Sequence, residues 1–184
     1  SGFADPLLTT MGYAEAARKL GVEFRQGVRA RRLTETLADR IDGVETDEGA
    51  ISAETVIVAA GVWTNAITET VGVRYPFDIT NHKVVLFRFD EDYASERYPV
   101  IRDLPGVCYT RPRDGGMLFG DSNRGDEISD PDFVDDSLPR DGAGHFIQNF
   151  ENCFVGLDGA HIAAHWAGRY DISPDSNPII GGFP

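Results

Sequence analysis

With 184 residues, 41% of them hydrophobic and 26% charged, the chain suffices for one domain, or one compact domain plus part of another, around a folded core. A formal net charge of −13 argues against nucleic acid as a partner, since phosphates would be repelled from most of such a surface. The longest strongly apolar run, Val56 to Trp63, falls far short of the roughly 20 residues a bilayer span needs, so no membrane partner is expected.

In chain order, Asp5 to Leu20 reads as a helix, with Asp5 as cap, Pro6 in the first turn and Gly21 as terminator. Val22 to Arg25 alternates as a strand, and Val28 to Leu33 reads as another. Ile41 to Thr46, a turn at Asp47 to Ala50, and Ile51 form a hairpin pattern. Thr55 to Ala60 is a continuous apolar run suited to a strand buried on both faces, and Val62 to Val71 after Gly61 reads as a helix. Such a strand–Gly–helix junction presents backbone N–H groups where nucleotide cofactors commonly sit. Beyond Pro76 the texture becomes that of an antiparallel sheet, with strands expected at Ile79 to Asp90, Val107 to Arg111 and Met117 to Asp121. Asp126 to Asp141 reads as an acidic surface excursion. Gly142 to Gly156 reads as a helix bearing Phe146, Phe150 and Phe154 on one face, and His161 to Tyr170 as a final long strand.

Of the 17 basic residues only Lys19 and Lys83 are lysines. Two readings of the acidic balance stay open: a solvated surface that aids solubility, or a salt-adapted protein whose self-repulsion is screened by high ionic strength. Cys108 and Cys153 form no CxxC pair, which suggests a reducing compartment, the cytoplasm by default, and no disulfide framework. The chain opens Ser-Gly-Phe without an initiator Met or a signal peptide, so it is expected to be processed, tagged or cut from something longer.

Three segments in order carry a resemblance. They are Glu54-Thr55-Val56-Ile57-Val58-Ala59-Ala60-Gly61-Val62-Trp63-Thr64, then Cys108 to Gly120 (CYTRPRDGGMLFG), then Trp166 to Gly181 (WAGRYDISPDSNPIIG). Together they resemble the D-amino-acid oxidase superfamily of FAD-dependent oxidoreductases, especially its sarcosine and dimethylglycine oxidase or dehydrogenase branch. The resemblance implies an α+β fold: an antiparallel-sheet substrate-binding domain with helices over residues 76–170, joined to a partial, Rossmann-like α/β FAD-binding layer. Residues 1–75 would belong to that layer, with 171–184 as a return segment. The family's opening GxGxxG turn and closing Gly-rich segment are not found in the sequence. The chain by itself is therefore expected to lack the main pyrophosphate cradle, and with it tight FAD binding and activity.

The resemblance also implies roles. Ala30, Ala60, Gly61 and Trp63 would line the cofactor, although Trp63 also suits a core position and Gly61 a plain turn. Tyr109 would hold a substrate carboxylate, and His82 matches a histidine of the dimethylglycine branch. For both, a structural role stays open. Tyr170 stands where D-amino-acid and glycine oxidases carry an arginine, and Arg169 beside it is a displaced anion binder or a surface residue. No catalytic residue is assigned. Leu118 aligns with the lysine of monomeric sarcosine oxidases, which tilts the reading towards a dehydrogenase. His161 and His165, four apart on a strand, would share a face about 13 Å apart and are not expected to bind metal. The implied reaction is hydride transfer from the carbon beside the amine of a small amine or amino acid to the flavin. The rival reading is a non-catalytic binding or interaction domain derived from the same fold.

Overall fold

The computed structural model describes residues 2–36, 40–89, 99–103, 108–113, 115–121, 125–138, 140–154 and 159–182. The expected strand ends at Asp90 and Val107, and the helix end at Gly156, lie outside them. The chain divides into two compact units, Ser1–Phe3 with Asp78–Ile172, and Ala4–Phe77 with Ser173–Pro184. Every ladder among the described residues is antiparallel.

The second of these units opens with helix α1, Pro6–Lys19. Its start follows from local chemistry: the Asp5 carboxylate accepts the Leu8 N–H at 2.9 Å, and Pro6 occupies a position whose missing N–H costs nothing. Arg18 and Lys19 in the last turn complement the helix dipole. Strands β1 (Ala30–Glu35), β2 (Ile41–Thr46) and β3 (Gly49–Ser52) form a meander, and Gly43 is required in it. A Cβ there would lie 2.3 Å from the Ile51 carbonyl oxygen.

The expected helix after Gly61 is shorter and composite: a 3-10 turn at Gly61–Trp63, helix α2 at Thr64–Thr68, and a second 3-10 turn at Glu69–Val71, ended by Gly72 at φ 76°. β-Branched residues crowd this stretch and weaken a regular helix. Helix α2 packs against β1, where the Thr70 hydroxyl accepts the Leu33 N–H at 3.2 Å and Leu33 is buried. Val22 to Arg25 and Thr55 to Ala60 are not strands; the latter alternates between half-buried and exposed, with Ile57 86% exposed. An apolar, β-branched run favours a strand, but only a partner with free ladder groups makes one, and no described residue pairs with 55–60.

The other unit is built on β4, Asp78–Arg88. Strand β9 (His161–Ile172) pairs along its whole length, so β7 (Gly116–Asp121, opposite 84–88) and β8 (Asp126–Ile128, opposite 79–81) share its other edge. Strand β6 (Cys108–Arg113) pairs with β7, and β5 (Ile101–Asp103) with β6. Helix α3, Arg140–Cys153, covers one face of this sheet. Phe146 and Phe150 insert among Val85, Phe87, Met117 and Phe119, and the Phe87 and Phe150 rings stack at 4.2 Å. Each fully buried phenylalanine of this kind contributes about 1.5–3 kcal/mol by burial alone. The acidic excursion is partly structural. Segment 130–138 reaches Lys83 on the same face, and the ammonium donates to the Ser137 carbonyl at 2.7 Å and lies 3.4 Å from an Asp135 carboxylate oxygen.

Candidate functional site

Strand parity sorts the candidate residues of the large sheet. On β4, Asn81, Lys83, Val85 and Phe87 face α3 and segment 130–138, so Thr80, His82, Val84 and Leu86 face the other way. Across the ladders Tyr109 opposes Gly120, Gly120 opposes Val84, and Val84 opposes Trp166, so this row lies on the face of His82. Tyr170 opposes Thr80 and stacks on the His82 ring, with centroids 4.1 Å apart and planes 20° from parallel. The His82 ring is also bonded through Nε2 to the Thr80 hydroxyl at 2.9 Å. Gly125, held at φ 78°, lies against the same Nε2 edge of the ring, where a Cβ would be 3.1 Å from the imidazole.

Tyr109 is placed by an absence of side chain. A Cβ on Gly120 would lie 2.1 Å from the tyrosine ring and 2.3 Å from its hydroxyl, so the ring rests flat across β7, aimed at β4. From strand spacing and rise, the Cα atoms of Tyr109 and His82 are roughly 12 Å apart. The structure thus brings His82 and Tyr170 into contact and sets Tyr109 on the same face two strands away. Arg169 is not with them. It opposes Asn81 on the α3-facing side, and its guanidinium donates to the Pro131 carbonyl. Leu118, buried, shares the Tyr109 face opposite Arg111.

Two cations were missed by sequence reasoning. Arg111 and Arg113, at even spacing from Tyr109, lie on its face; Arg111 sits over the Phe3 ring at 4.4 Å and Arg113 over the Trp166 ring at 5.1 Å. The i, i+2 spacing from Tyr109 was the signal that could have found them. The expected shared face of His161 and His165 is corrected. Leu86 opposes Ala164 while Phe87 opposes Ile162, so Ala163 is a bulge that reverses the parity. His165 donates to the Asp136 carbonyl at 2.8 Å on the α3 face, whereas His161 lies opposite Arg88 on the other.

The four cofactor candidates lie in the smaller-sheet unit. Ala30 opens β1, half-buried; Ala60 caps the 3-10 turn, with the Trp63 N–H donating to its carbonyl at 3.1 Å. Gly61 takes φ 54°, exposed, with nothing within 4 Å of where a Cβ would be. That is a backbone conformation and an open side that suit close approach of a flat cofactor such as a flavin. In the same unit, the Ser173-Pro174-Asp175-Ser176-Asn177 stretch closes on itself. The Ser173 hydroxyl donates to the Asn177 carbonyl at 2.7 Å, and the Asn177 N–H donates to the Asp175 carboxylate at 3.0 Å. Those donors from Asn177, then Ser173, hold the Asp175 carboxyl below the ordinary carboxylate range.

The sequence pattern of the family described as "FAD dependent oxidoreductase" matches residues 1–184. The chain belongs to that family, and FAD is the cofactor the family uses. Over 151 residues the chain is 28% identical to a glycine oxidase of Pseudomonas putida, covering 79% of this chain and 37% of that protein. It is 36% identical over 124 residues to the mitochondrial dimethylglycine dehydrogenase of Rattus norvegicus, covering 65% of this chain and 14% of that one. The solved structure of an L-proline dehydrogenase from P. horikoshii superposes with a TM-score of 0.84 at 24% identity, over 98% of this chain and 47% of its own, which shows the fold. The chain therefore spans less than half the length of each of these relatives. No helix among the described residues is long and apolar enough to cross a membrane.

Proposed function

We propose that this chain forms the substrate-side sheet and part of the cofactor-side unit of an FAD-dependent oxidoreductase that oxidises a small amine or amino acid. Sarcosine- and dimethylglycine-like N-methyl substrates are the favoured class. The observation that carries this reading is the single sheet face shared by Tyr109, His82 and Tyr170. A hydroxyl held over Gly120 can donate to a substrate carboxylate, and Arg111, two residues along β6, supplies positive charge on the same face. The His82–Tyr170 stack offers an aromatic wall to the apolar N-methyl end. Such positioning converts binding into reactivity by fixing which C–H bond is presented.

Ala30, Ala60, Gly61 and Trp63 are the residues we assign to the cofactor, which when bound supplies the acceptor for the hydride. An apolar residue at 118 favours a dehydrogenase over an enzyme that passes electrons directly to oxygen. The relatives, a glycine oxidase and a dimethylglycine dehydrogenase, agree with a small amino-acid substrate.

The test is anaerobic reduction of bound FAD in the full-length protein by a panel of sarcosine, dimethylglycine, glycine, D-alanine and L-proline. Fastest bleaching by the N-methyl compounds supports the assignment. Preference for glycine, D-alanine or L-proline removes the N-methyl class, and no reduction by any amine makes the non-catalytic binding domain the better reading.

A further inference from the structure

The two cysteines are 45 positions apart in sequence, yet their sulfurs lie 3.3 Å apart, in no disulfide. Cys108 opens β6, Cys153 ends α3, and Asp103 ends β5 directly opposite Cys108 in the ladder. The Cys153 sulfur is 3.8 Å from an Asp103 carboxylate oxygen, and one ligand atom from each of the three residues falls within 4.8 Å of the others. Cys108 is 1% exposed, while Cys153 and Asp103 are half-buried and give the group a side towards solvent.

We propose that Asp103, Cys108 and Cys153 form a binding site for a thiophilic divalent cation, zinc in the first instance, tying the β5–β6 hairpin to the end of α3. The dimensions suit it. Metal–sulfur bonds of about 2.3 Å and metal–oxygen bonds of about 2.0–2.2 Å set tetrahedral edges of about 3.8 Å between sulfurs and about 3.5 Å between sulfur and oxygen. The 3.3 and 3.8 Å edges need adjustments of about 0.5 Å or less, and the third edge, from Cys108 to Asp103, lies within 4.8 Å and must close by at most about 1.3 Å, a movement that rotation of the half-buried Asp103 and Cys153 side chains supplies. The charge suits it too. Two thiolates and a carboxylate this close repel one another strongly, and a divalent cation offsets them while releasing the thiol protons. A disulfide between the same sulfurs is the competing outcome, and it would leave the carboxylate no role. Three protein ligands leave a fourth position for water, on the half-buried side.

The experiment uses the full-length protein, reduced, incubated with zinc and desalted. One zinc per chain is expected, with the half-buried Cys153 thiol shielded from alkylation until a strong chelator is added. Asp103→Asn should weaken zinc at least about tenfold in competition with a chromophoric chelator, since even outer-shell partners of a metal are worth that much. Cys153→Ser, which replaces the sulfur by a smaller oxygen at a half-buried position, should abolish retention while the melting temperature shows the fold intact. Retention that persists in Cys153→Ser places the ion on the acidic surface and overturns the site. So does a Cys153 thiol alkylated equally fast with and without zinc, or an unreduced protein two hydrogens light.

Discussion

Tyr109 depends on Gly120, and the pair makes the site testable at single-residue scale. A hydrogen bond to a charged group is worth about 1.5–3 kcal/mol, so Tyr109→Phe should raise the substrate constant roughly ten- to a hundredfold while slowing flavin reduction less. Stopped-flow reduction at varied sarcosine concentration separates the two. Affinity left unchanged would take the carboxylate away from Tyr109 and towards Arg111. Gly120→Ala should reproduce the loss by another route, because its methyl group would occupy the place of the ring. Overpacking of this kind costs about 1–3 kcal/mol. Thermal melting together with substrate titration checks that affinity falls while the fold survives; unchanged affinity would mean the tyrosine ring is not held where the hydroxyl matters. Tyr109, His82 and Tyr170 were legible as candidates in the sequence, and strand alternation alone already put Arg169 and its neighbour Tyr170 on opposite faces. Which face was which could not be read, since that depends on where α3 and segment 130–138 pack.

At the scale of elements, segment 130–138 is fastened to β4 by a small polar anchor. The hydroxyl and backbone N–H of Ser137, with Lys83 behind them, hold the Asp135 carboxyl below the ordinary carboxylate range. A carboxyl lowered by folding contributes stability that is complete above the ordinary range, about pH 4, and declines as pH falls through the lowered value. The anchor should therefore be indifferent between neutrality and about pH 5 and loosen only in stronger acid. Amide exchange at Ser137, followed against pH in the protein and in Asp135→Asn, reads this directly. A loss of protection that begins near neutrality, or one identical in the variant, would assign the anchor elsewhere. The helices α1 and α3 were readable from capping residues and from the four-residue spacing of Phe146 and Phe150. The segment Thr55 to Ala60 was misread as a strand because hydrophobicity and β-branching describe what a residue tolerates, while a ladder also requires a neighbour.

For the molecule as a whole, a net charge of −13 implies self-repulsion that salt should relieve. We expect the melting temperature to rise as potassium chloride goes from about 0.1 M to about 1 M, over which the screening length falls from about 10 Å to about 3 Å. A flat or falling curve would leave solubility as the sole role of the acidic surface. The described ion pairs that salt would weaken, such as Lys19–Glu15 and Arg32–Glu45, are exposed and worth little each. What the sequence by itself determined was membership: three ordered motifs, the α+β alternation, the helix caps and the FAD-linked class all follow from local residue order, which the chain carries whatever surrounds it. Tertiary structure alone decided the rest, because facing and proximity are properties of the packed sheet. It reversed the parity of His161 and His165 through a bulge at Ala163. It turned Arg169 towards Pro131, and it set Cys108, Cys153 and Asp103 side by side across 45 to 50 residues of chain.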